Sequence, residues 1–251
     1  MTRLIACAAM LASLSALAAD KEEMFHVKGK KRPIAAYRVP GDSAFFYRTD
    51  DFSTDYDGAP TAYHPQGKSK GKALDYNANA GKPGNWYGIV THNGKKNGDP
   101  VVQKASDPAP GYHVSSTSLA DKTKHAHDPR RYVDASTVPY IVLPPKAQKQ
   151  KNPGGASLGD FAAVVNMKTG KVAYAIFADS GPGEKMGEGS LVLRKELGKE
   201  KGGWDLVWVV FPGSKKTPAW PVGNEVISRE GKKLFDRFGG VAKVRALFGK
   251  E

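Results

Sequence analysis

Two carboxylates stand nine positions apart in the segment ADSGPGEKMGEGS, residues 178–190. Asp179 follows a strongly apolar run, and Glu188 stands between Gly187 and Gly189 just before a helix-like run. Glycines beside an acid let the backbone and a ligand approach closely. Such a pair can do the acid and base work that glycoside hydrolysis requires. Acids beside glycine also serve as turn residues or helix-start charges, so the spacing alone leaves both interpretations open.

The patterns around this segment predict rigid elements on both sides of the two acids. Residues 158–167 and 171–178 are apolar runs joined by a Lys-Thr-Gly turn at 168–170. They predict a hairpin whose strands are buried on both faces. Residues 190–197 predict a short helix, with a serine as its N-cap and Gly198 as its stop. Asp179 and Glu188 are therefore expected to lie between a buried strand and a capped helix.

The rest of the chain favours β structure, since 28 glycines and 17 prolines indicate many turns. We predict a mainly β fold with a β-barrel-like core, short helices and a helical C-terminal cap. Strands are expected at 33–38, 44–48, 86–91, 132–143 and 204–211. The C-terminal cap is expected at 228–248, with Ser228 at the start of its first helix.

The N-terminus has the pattern of a secretory signal peptide at residues 1–19. Arg3 precedes an apolar run that is too short for a membrane span, and small residues stand before Asp20. A buried N-terminal helix is the alternative. Cys7, the only cysteine of the chain, would leave with the signal. We expect residues 20–251 to form a single catalytic domain of a secreted, extracellular or periplasmic monomer, without a membrane segment.

The formal net charge is +13, which usually indicates attraction to an anionic partner. Much of this charge lies in loop-like lysine segments, and no aromatic-interleaved nucleic-acid motif accompanies it, so we expect no nucleic-acid partner. His125 and His127 lie close together in sequence but without a third ligand nearby. We therefore expect neither a metal nor another cofactor.

Seven segments between about residues 57 and 214 carry a family resemblance: DGAPTAYHP, LDYNANAGKPGNW, DPAPGYHVSSTSL, VPYIVLP, LGDFAAVV, YAIFADSGPGEKMGEGS and VFPGS. Together they resemble the chitosanases of glycoside hydrolase family 75. The resemblance implies a β-rich barrel core of double-psi type and endolytic, inverting cleavage of chitosan. It places the catalytic acids at Asp179 and Glu188. We assign Glu188 as the acid and Asp179 as the base.

Three further acids are candidates for binding the ammonium groups of glucosamine: Asp160 in the LGD segment, and Asp55 and Asp57 in an acidic stretch. Turn formation and surface charge are equally good explanations for them. Chitosan is a polycation, which a strongly basic protein should repel at long range. Either the cleft is locally acidic, or the substrate is a more acetylated or anionic cell-wall glycan.

Serine chemistry is the rival enzyme class. Residues 155–159 spell the Gly-x-Ser-x-Gly string of a nucleophile elbow, and Ser69 and Lys72 imitate a penicillin-recognising box. The first lacks the required strand before it and helix after it, and the second lies in a Lys/Gly loop.

A secreted glycan-binding module without catalysis is the other alternative. Four tryptophans could stack on sugars: Trp86, Trp204, Trp208 and Trp220. Trp204 and Trp208 share a strand face with Leu206, which favours core packing for these two.

Overall fold

The computed structural model describes residues 20–29, 32–148, 155–181, 183, 185–198 and 202–249. The predicted signal peptide, residues 1–19, lies outside this part of the chain. The strands within it are β1 (Glu22–Val27), β2 (Ile34–Arg38), β3 (Phe45–Thr49), β4 (Ser53–Asp55), β5 (Gly81–Lys82), β6 (Asn85–Trp86), β7 (Tyr140–Leu143), β8 (Phe161–Asn166), β9 (Val172–Ser180), β10 (Glu188–Ser190) and β11 (Leu206–Val210). The α-helices are α1 (Lys68–Gly71), α2 (Leu191–Leu197), α3 (Asn224–Phe238) and α4 (Gly240–Phe248).

Nine strands form one curled, half-barrel sheet in the order β1-β2-β3-β11-β8-β9-β7-β10-β4. Its first six strands, from β1 to β9, pair with one another only in antiparallel fashion. We call these six strands the antiparallel half. The strands β7, β10 and β4 form the short-strand half, in which parallel and antiparallel pairs alternate. The predicted mainly β, barrel-like fold is confirmed, whereas the double-psi type stays a prediction.

The predicted hairpin is formed by β8 and β9. Val165 aligns with Val172, and the backbone N–H of Gly170 donates to the carbonyl of Asn166 at 2.8 Å. Gly170 has a φ of 73°, a conformation that glycine adopts without steric cost. The turn chemistry therefore sets the register of the two strands that lead to Asp179.

Both faces of the central strands β3, β11, β8 and β9 are largely buried, as the apolar runs predict for β8 and β9. On one face, Val207 of β11 belongs to the same core cluster as Phe235 of α3 and Leu247 of α4. On the other face, Trp208 packs in the cluster that contains Leu193 of α2. Burial of one such side chain stabilises the fold by about 2 kcal/mol. The predicted helical C-terminal cap is thus confirmed as the cover of one sheet face.

The helix caps were predicted with mixed success. The hydroxyl of Ser190 accepts a hydrogen bond from the N–H of Leu193 at 3.3 Å, and Gly198 ends α2, as expected. The prediction that Ser228 begins the C-terminal helix is wrong, because α3 begins at Asn224. Ile227 is completely buried, and its packing extends the helix one turn before the serine.

The loop-rich middle of the chain is less regular than the sequence predicts. In the expected strand at 86–91, only Trp86 belongs to a strand, and Ile89 and Thr91 form isolated bridges. Residues 132–143 likewise yield only the four-residue β7. The charged strand β1 was not predicted. Among the described residues, no helix combines the length and the apolarity needed to cross a membrane.

Candidate active site

A β-bulge decides which face of the sheet Asp179 occupies. In the parallel pair of β7 and β9, Ile141 aligns with Phe177 but Val142 aligns with Asp179, so that Ala178 is the extra residue. In a regular strand Asp179 would lie on the face of Phe177. The bulge turns it to the face of Val142 instead, a use of bulges that is common beside active sites.

Glu188 reaches the same face from the other side of β7. It aligns with Val142 in the antiparallel pair of β10 and β7. Asp179 and Glu188 therefore flank one residue and are separated by two strand spacings, or ~10 Å between Cα atoms. A Cβ on Gly181 would lie 3.1 Å from Cγ1 of Val142 and 3.7 Å from Oε2 of Glu188. The missing side chain at Gly181 leaves space beside Glu188.

Asp179 is nearly buried, and one of its oxygens accepts several hydrogen bonds. Oδ1 accepts from the N–H of Ser118 at 2.9 Å, from its hydroxyl at 2.5 Å and from the N–H of Ser180 at 2.8 Å. Burial raises the pKa of Asp179 to about 6, although these hydrogen bonds oppose the rise by favouring the ionised form. The negative charge of Glu188 adds to the rise. A carboxyl of this kind can be protonated under mildly acidic conditions.

Glu188 has a cationic partner instead. The Nζ of Lys185 lies 3.2 Å from its Oε1, and the Glu188 side chain keeps 14% of its surface exposed. Gly189, the next residue, is required by packing, because a Cβ there would lie 2.8 Å from the carbonyl oxygen of Tyr140. Gly187 has a φ of 88°, which glycine adopts without steric cost. Backbone conformation at one position and close packing at the other therefore explain the glycines on both sides of Glu188.

Asp55 brings a third carboxyl to the pair. It ends β4, which is parallel to β10, and it aligns there with Ser190. Burial, followed by the charge of Asp179, raises the pKa of Asp55 to about 8, and Glu188 contributes in the same direction. The Tyr140 hydroxyl lies within hydrogen-bonding reach of this carboxyl and donates to the carbonyl of Asp57 at 3.0 Å. A protonated Asp55 can therefore donate to the Tyr140 oxygen.

Asp57 lies behind Asp55 as a fourth carboxyl. Its Oδ1 accepts hydrogen bonds from the hydroxyls of Tyr63 at 2.6 Å and Ser115 at 3.2 Å. Burial, with the neighbouring charge of Asp55, raises the pKa of Asp57 well above its usual range. A Cβ on Gly88 would lie 2.9 Å from Oδ2 of Asp57, so the backbone closes over this group. We call Asp55, Asp57, Asp179 and Glu188 the carboxyl cluster.

Asp160 does not join the carboxyl cluster. It is completely buried, and its Oδ2 accepts from the N–H of Ser157 at 2.7 Å and of Gly213 at 3.1 Å. Its Oδ1 accepts from the N–H of Lys215 at 3.0 Å. A carboxylate with both oxygens bound to backbone N–H groups joins two loops and has no exposed oxygen for an ammonium group. The expectation that Asp160 binds substrate is therefore replaced by a structural role.

The histidines are closer together than the sequence indicates. The ring centroid of His127 lies 4.7 Å from that of His125 and 5.4 Å from that of His92. The third imidazole near this pair is thus His92, which is distant from His125 and His127 in sequence. Even so, the described residues include no group of three or more histidine, cysteine or acidic side chains arranged to hold a metal ion.

The structural contexts of the two serine motifs do not fit nucleophilic catalysis. Ser157 precedes a turn after the isolated bridge of Ala156, and Ser69 is an exposed residue of the four-residue helix α1. Trp204 and Trp208 are buried in the core, as their strand parity predicts, and are not available to stack on a sugar.

Sequence reasoning missed the groups that hold the carboxyl cluster in place. The Ser118 hydroxyl donates to Asp179, the Tyr140 hydroxyl donates to the backbone carbonyl of Asp57, and the Tyr63 hydroxyl donates to the Asp57 carboxyl. All three lie in segments that carry the family resemblance: DPAPGYHVSSTSL, VPYIVLP and DGAPTAYHP. The serines and tyrosines of those segments were the sequence signal from which these three residues could have been predicted.

Paired carboxyls on one face of a mainly β sheet, with space between them, are the arrangement found in glycoside hydrolases. The family model described as the fungal chitosanase of glycosyl hydrolase group 75 matches residues 87–236, more than half of the chain. The chain therefore belongs to this family of glycoside hydrolases. The matched segment contains Asp179 and Glu188 and begins after Asp55 and Asp57. A comparison with curated protein sequences gives no match.

Proposed function

We propose that this protein is a secreted, endo-acting chitosanase that inverts the anomeric carbon, with Asp179 and Glu188 as its catalytic acids. The observation that carries the proposal is the position of these two residues on either side of Val142. With Cα atoms ~10 Å apart, side chains that lean towards each other bring the carboxyls into the ~6.5 to 9.5 Å range of inverting enzymes. That range leaves room for a water molecule.

The electrostatics favour Asp179 as the general acid, which reverses the assignment made from the sequence. A general acid must be protonated when the substrate binds, and burial raises the pKa of Asp179 to about 6. A general base must be ionised, and the ammonium of Lys185 lies 3.2 Å from Glu188. This ion pair is the observation that supports Glu188 as the base.

These two carboxyls and one water molecule account for every bond and proton of the reaction. Asp179 gives its proton to the glycosidic oxygen as the bond from that oxygen to the anomeric carbon breaks. Glu188 accepts a proton from water, whose oxygen forms the new bond on the opposite face of the sugar ring. The product hemiacetal has the inverted configuration, and the two carboxyls exchange their protonation states before the next turnover.

The carboxyl cluster also accounts for a polycationic substrate on a protein with a net charge of +13. The raised pKa of Asp55, about 8, results from burial and, after it, from the negative charges of Asp179 and Glu188. A glucosaminyl ammonium beside Asp55 would favour its ionised form and offset the repulsion by those charges. Local acidity therefore attracts the amino sugar where the distant surface charge does not.

Proton NMR of the first products formed from glucosamine oligomers tests this proposal. Inversion gives the α-anomer first, and a first product in the β configuration would contradict the mechanism. Chemical rescue then tests the roles. Azide should restore turnover to Glu188→Gln, which lacks the base, and an activated fluoride leaving group should restore it to Asp179→Asn, which lacks the acid. Rescue in the opposite pattern would return the roles to the assignment made from the sequence.

Export is the second part of the proposal and rests on residues 1–19 alone. Expression of the full chain in a secreting host, followed by N-terminal sequencing of the protein in the medium, tests it. A mature chain that begins near Asp20 is expected. Retention of the uncleaved chain inside the cell would contradict export without affecting the catalytic assignment.

A further inference from the structure

An open cavity of about 700 Å³ lies beside β6. This volume is within the range of pockets that hold small ligands. Among the described residues that line it there is no aspartate or glutamate. Two lysines, Lys95 and Lys96, and three histidines, His92, His125 and His127, are present. We call this space the basic cavity, because basic side chains line it whereas acids form the carboxyl cluster.

The two lysines of the basic cavity lie on a turn that is already ordered. The hydroxyl of Thr91 donates to the carbonyl of Lys95 at 2.7 Å, and the N–H of Lys95 donates to Oδ1 of Asn93 at 2.9 Å. The N–H of Trp86 donates to the carbonyl of Lys96 at 2.8 Å. Neither ammonium group has an ion-pair partner among the residues that the structure describes. The ordered backbone holds two exposed cations side by side at the cavity, which favours binding of an anion.

His125 adds a hydrogen-bond donor to the same cavity. The N–H of His127 donates to Nδ1 of His125 at 3.1 Å, which leaves the Nε2–H of His125 as its ring donor. Burial, together with the neighbouring His125 and His92, lowers the pKa of the His127 ring. The lowering by the neighbours reflects the repulsion that protonated imidazoles would experience. An anion bound among them would offset this repulsion.

Aromatic side chains complete the lining. Trp86 and Tyr132 are largely buried in the wall, and Tyr87 keeps 57% of its surface exposed. The exposed ring of Tyr87 offers a large flat apolar surface, which a small inorganic anion does not use, whereas Trp86 and Tyr132 form the buried wall. A ligand with both a flat apolar face and a negative charge matches the whole lining.

We propose that the basic cavity binds a carboxylate-bearing sugar residue of the uronic-acid type within a saccharide chain. Ser116 lines the cavity, and two positions later Ser118 holds Asp179. Two residues span at most ~7 Å, so one polysaccharide chain can extend from the cavity to the catalytic pair. The preferred polymer would then carry acidic sugars beside amino sugars. This last step rests on the proposed function, whereas binding of the acidic sugar does not.

Isothermal titration calorimetry on the full protein tests the site. The probes are an oligogalacturonate, a neutral N-acetylglucosamine oligomer of equal length, and citrate as an anion without a sugar ring. We expect the oligogalacturonate to bind at least about tenfold more tightly than either of the other two. Equal affinity for the neutral oligomer would show that charge does not determine binding. Equal affinity for citrate would show that the sugar ring does not contribute. Either result overturns the proposal.

Matched charge variants locate the site. Lys95→Gln with Lys96→Gln should weaken oligogalacturonate binding about tenfold. The control, Lys195→Gln with Lys233→Gln, removes the same charge from exposed positions on α2 and α3 and should leave affinity within about twofold. Equal weakening in both pairs would assign the binding to overall charge and overturn the site.

A measurement on the wild-type protein keeps the site testable if the variants fold poorly. Titration with oligogalacturonate should shift the NMR signals of the imidazole rings of His92, His125 and His127, and unshifted signals would contradict the proposal. Chitosan hydrolysis is assayed separately. Loss of the proposed function would appear as absent hydrolysis with binding intact, and failure of the basic cavity would appear as absent binding with hydrolysis intact.

Discussion

The two halves of the main sheet differ in regularity, and the carboxyl cluster lies where they meet. The antiparallel half has strands of five to nine residues that pair with one another only in antiparallel fashion, and its central strands are covered on both faces. The strands of the short-strand half have three or four residues, mix parallel and antiparallel pairs, and meet β9 at a bulge. A long strand buried on both faces leaves no place for charged side chains. The carboxyl cluster therefore lies at the border of the two halves, where Asp179 stands near the end of the long strand β9 and Glu188 and Asp55 stand in the short strands β10 and β4.

Asp160 and Asp179 show this difference in a single residue type. Asp160 stands just before β8 and uses both carboxyl oxygens to bind backbone N–H groups of two loops. Asp179 stands at the end of β9, and the hydrogen bonds from Ser118 and Ser180 all go to Oδ1. Both oxygens of the first carboxylate bind the fold, whereas Oδ2 of the second accepts none of these hydrogen bonds and would be available for the proposed proton transfer. Two neighbouring strands thus carry acids with different surroundings at the same end of their pair.

The largest effect should come from removing the catalytic carboxyls. Asp179→Asn and Glu188→Gln should each reduce chitosan hydrolysis by about 10³-fold, the contribution typical of general acid or base catalysis. Reducing-sugar assays and urea unfolding would be measured together, and stability should change little. Near-normal hydrolysis by either variant would remove that residue from the catalytic pair. Glu196→Gln, on the exposed face of α2, is the matched control.

Asp160→Ala should show the opposite pattern. The change leaves three backbone N–H groups without acceptors and should destabilise the fold by about 3 kcal/mol. Urea unfolding measures the loss, and activity per folded molecule should stay within about twofold of the wild type. If stability is unchanged and activity falls, then Asp160 acts on substrate and the contrast with Asp179 fails.

Asp55 should make stability depend on pH. Because its folded pKa, about 8, lies above its unfolded value, the stability it contributes is present below the unfolded pKa and is lost as pH rises towards 8. Asp55→Asn stays neutral and should therefore gain on the order of 4 kcal/mol relative to wild type between pH ~5 and ~8, at about 1.4 kcal/mol per pH unit. Urea unfolding at both pH values measures this difference. An identical pH dependence in both proteins would contradict a raised pKa at Asp55.

The smallest effect should come from Ser118→Ala, which removes one hydroxyl donor to Asp179. That hydrogen bond favours the ionised form, so its loss raises the pKa of Asp179 further. If Asp179 is the acid, the alkaline limb of the kcat/KM profile should move upward by roughly 0.5 to 1 pH unit, for a hydrogen bond of about 1 kcal/mol. If Asp179 is the base, the acidic limb should move instead.

The control for Ser118 is Ser136→Ala, which lies away from the carboxyl cluster and should leave both limbs in place. A profile that moves equally in both variants would show that the shift does not come from the hydrogen bond to Asp179. If the kcat/KM profile is unchanged in Ser118→Ala, then the pKa of Asp179 determines neither limb.

Local patterns predicted much of the antiparallel half and the elements that flank the acids. The turn at Gly170, the buried strands β8 and β9, and the caps of α2 each depend on residues close together in sequence. The acid pair was also identifiable from its glycine-flanked segment and from the family resemblance. Local propensity and alternation are sufficient for such features because the interactions that produce them are short-range.

Errors arose where distant segments decide the outcome. The start of α3 follows from the burial of Ile227, and the role of Asp160 follows from loops more than fifty residues away. The interrupted strand at 86–91 is formed by isolated bridges to separate segments. Propensity cannot report such contacts, because tertiary packing overrides it.

By itself, the sequence determined a mainly β chain with two acids at the joint between a buried strand and a capped helix. Only the tertiary structure decided that the bulge at Ala178 turns Asp179 to the face of Glu188, and that Asp55 lies beside both. The physical reason is that side-chain direction reverses at every strand residue, so one extra residue changes the face, and sequence spacing does not encode it. The charge of the site is likewise a tertiary property, since burial and neighbouring acids set each pKa.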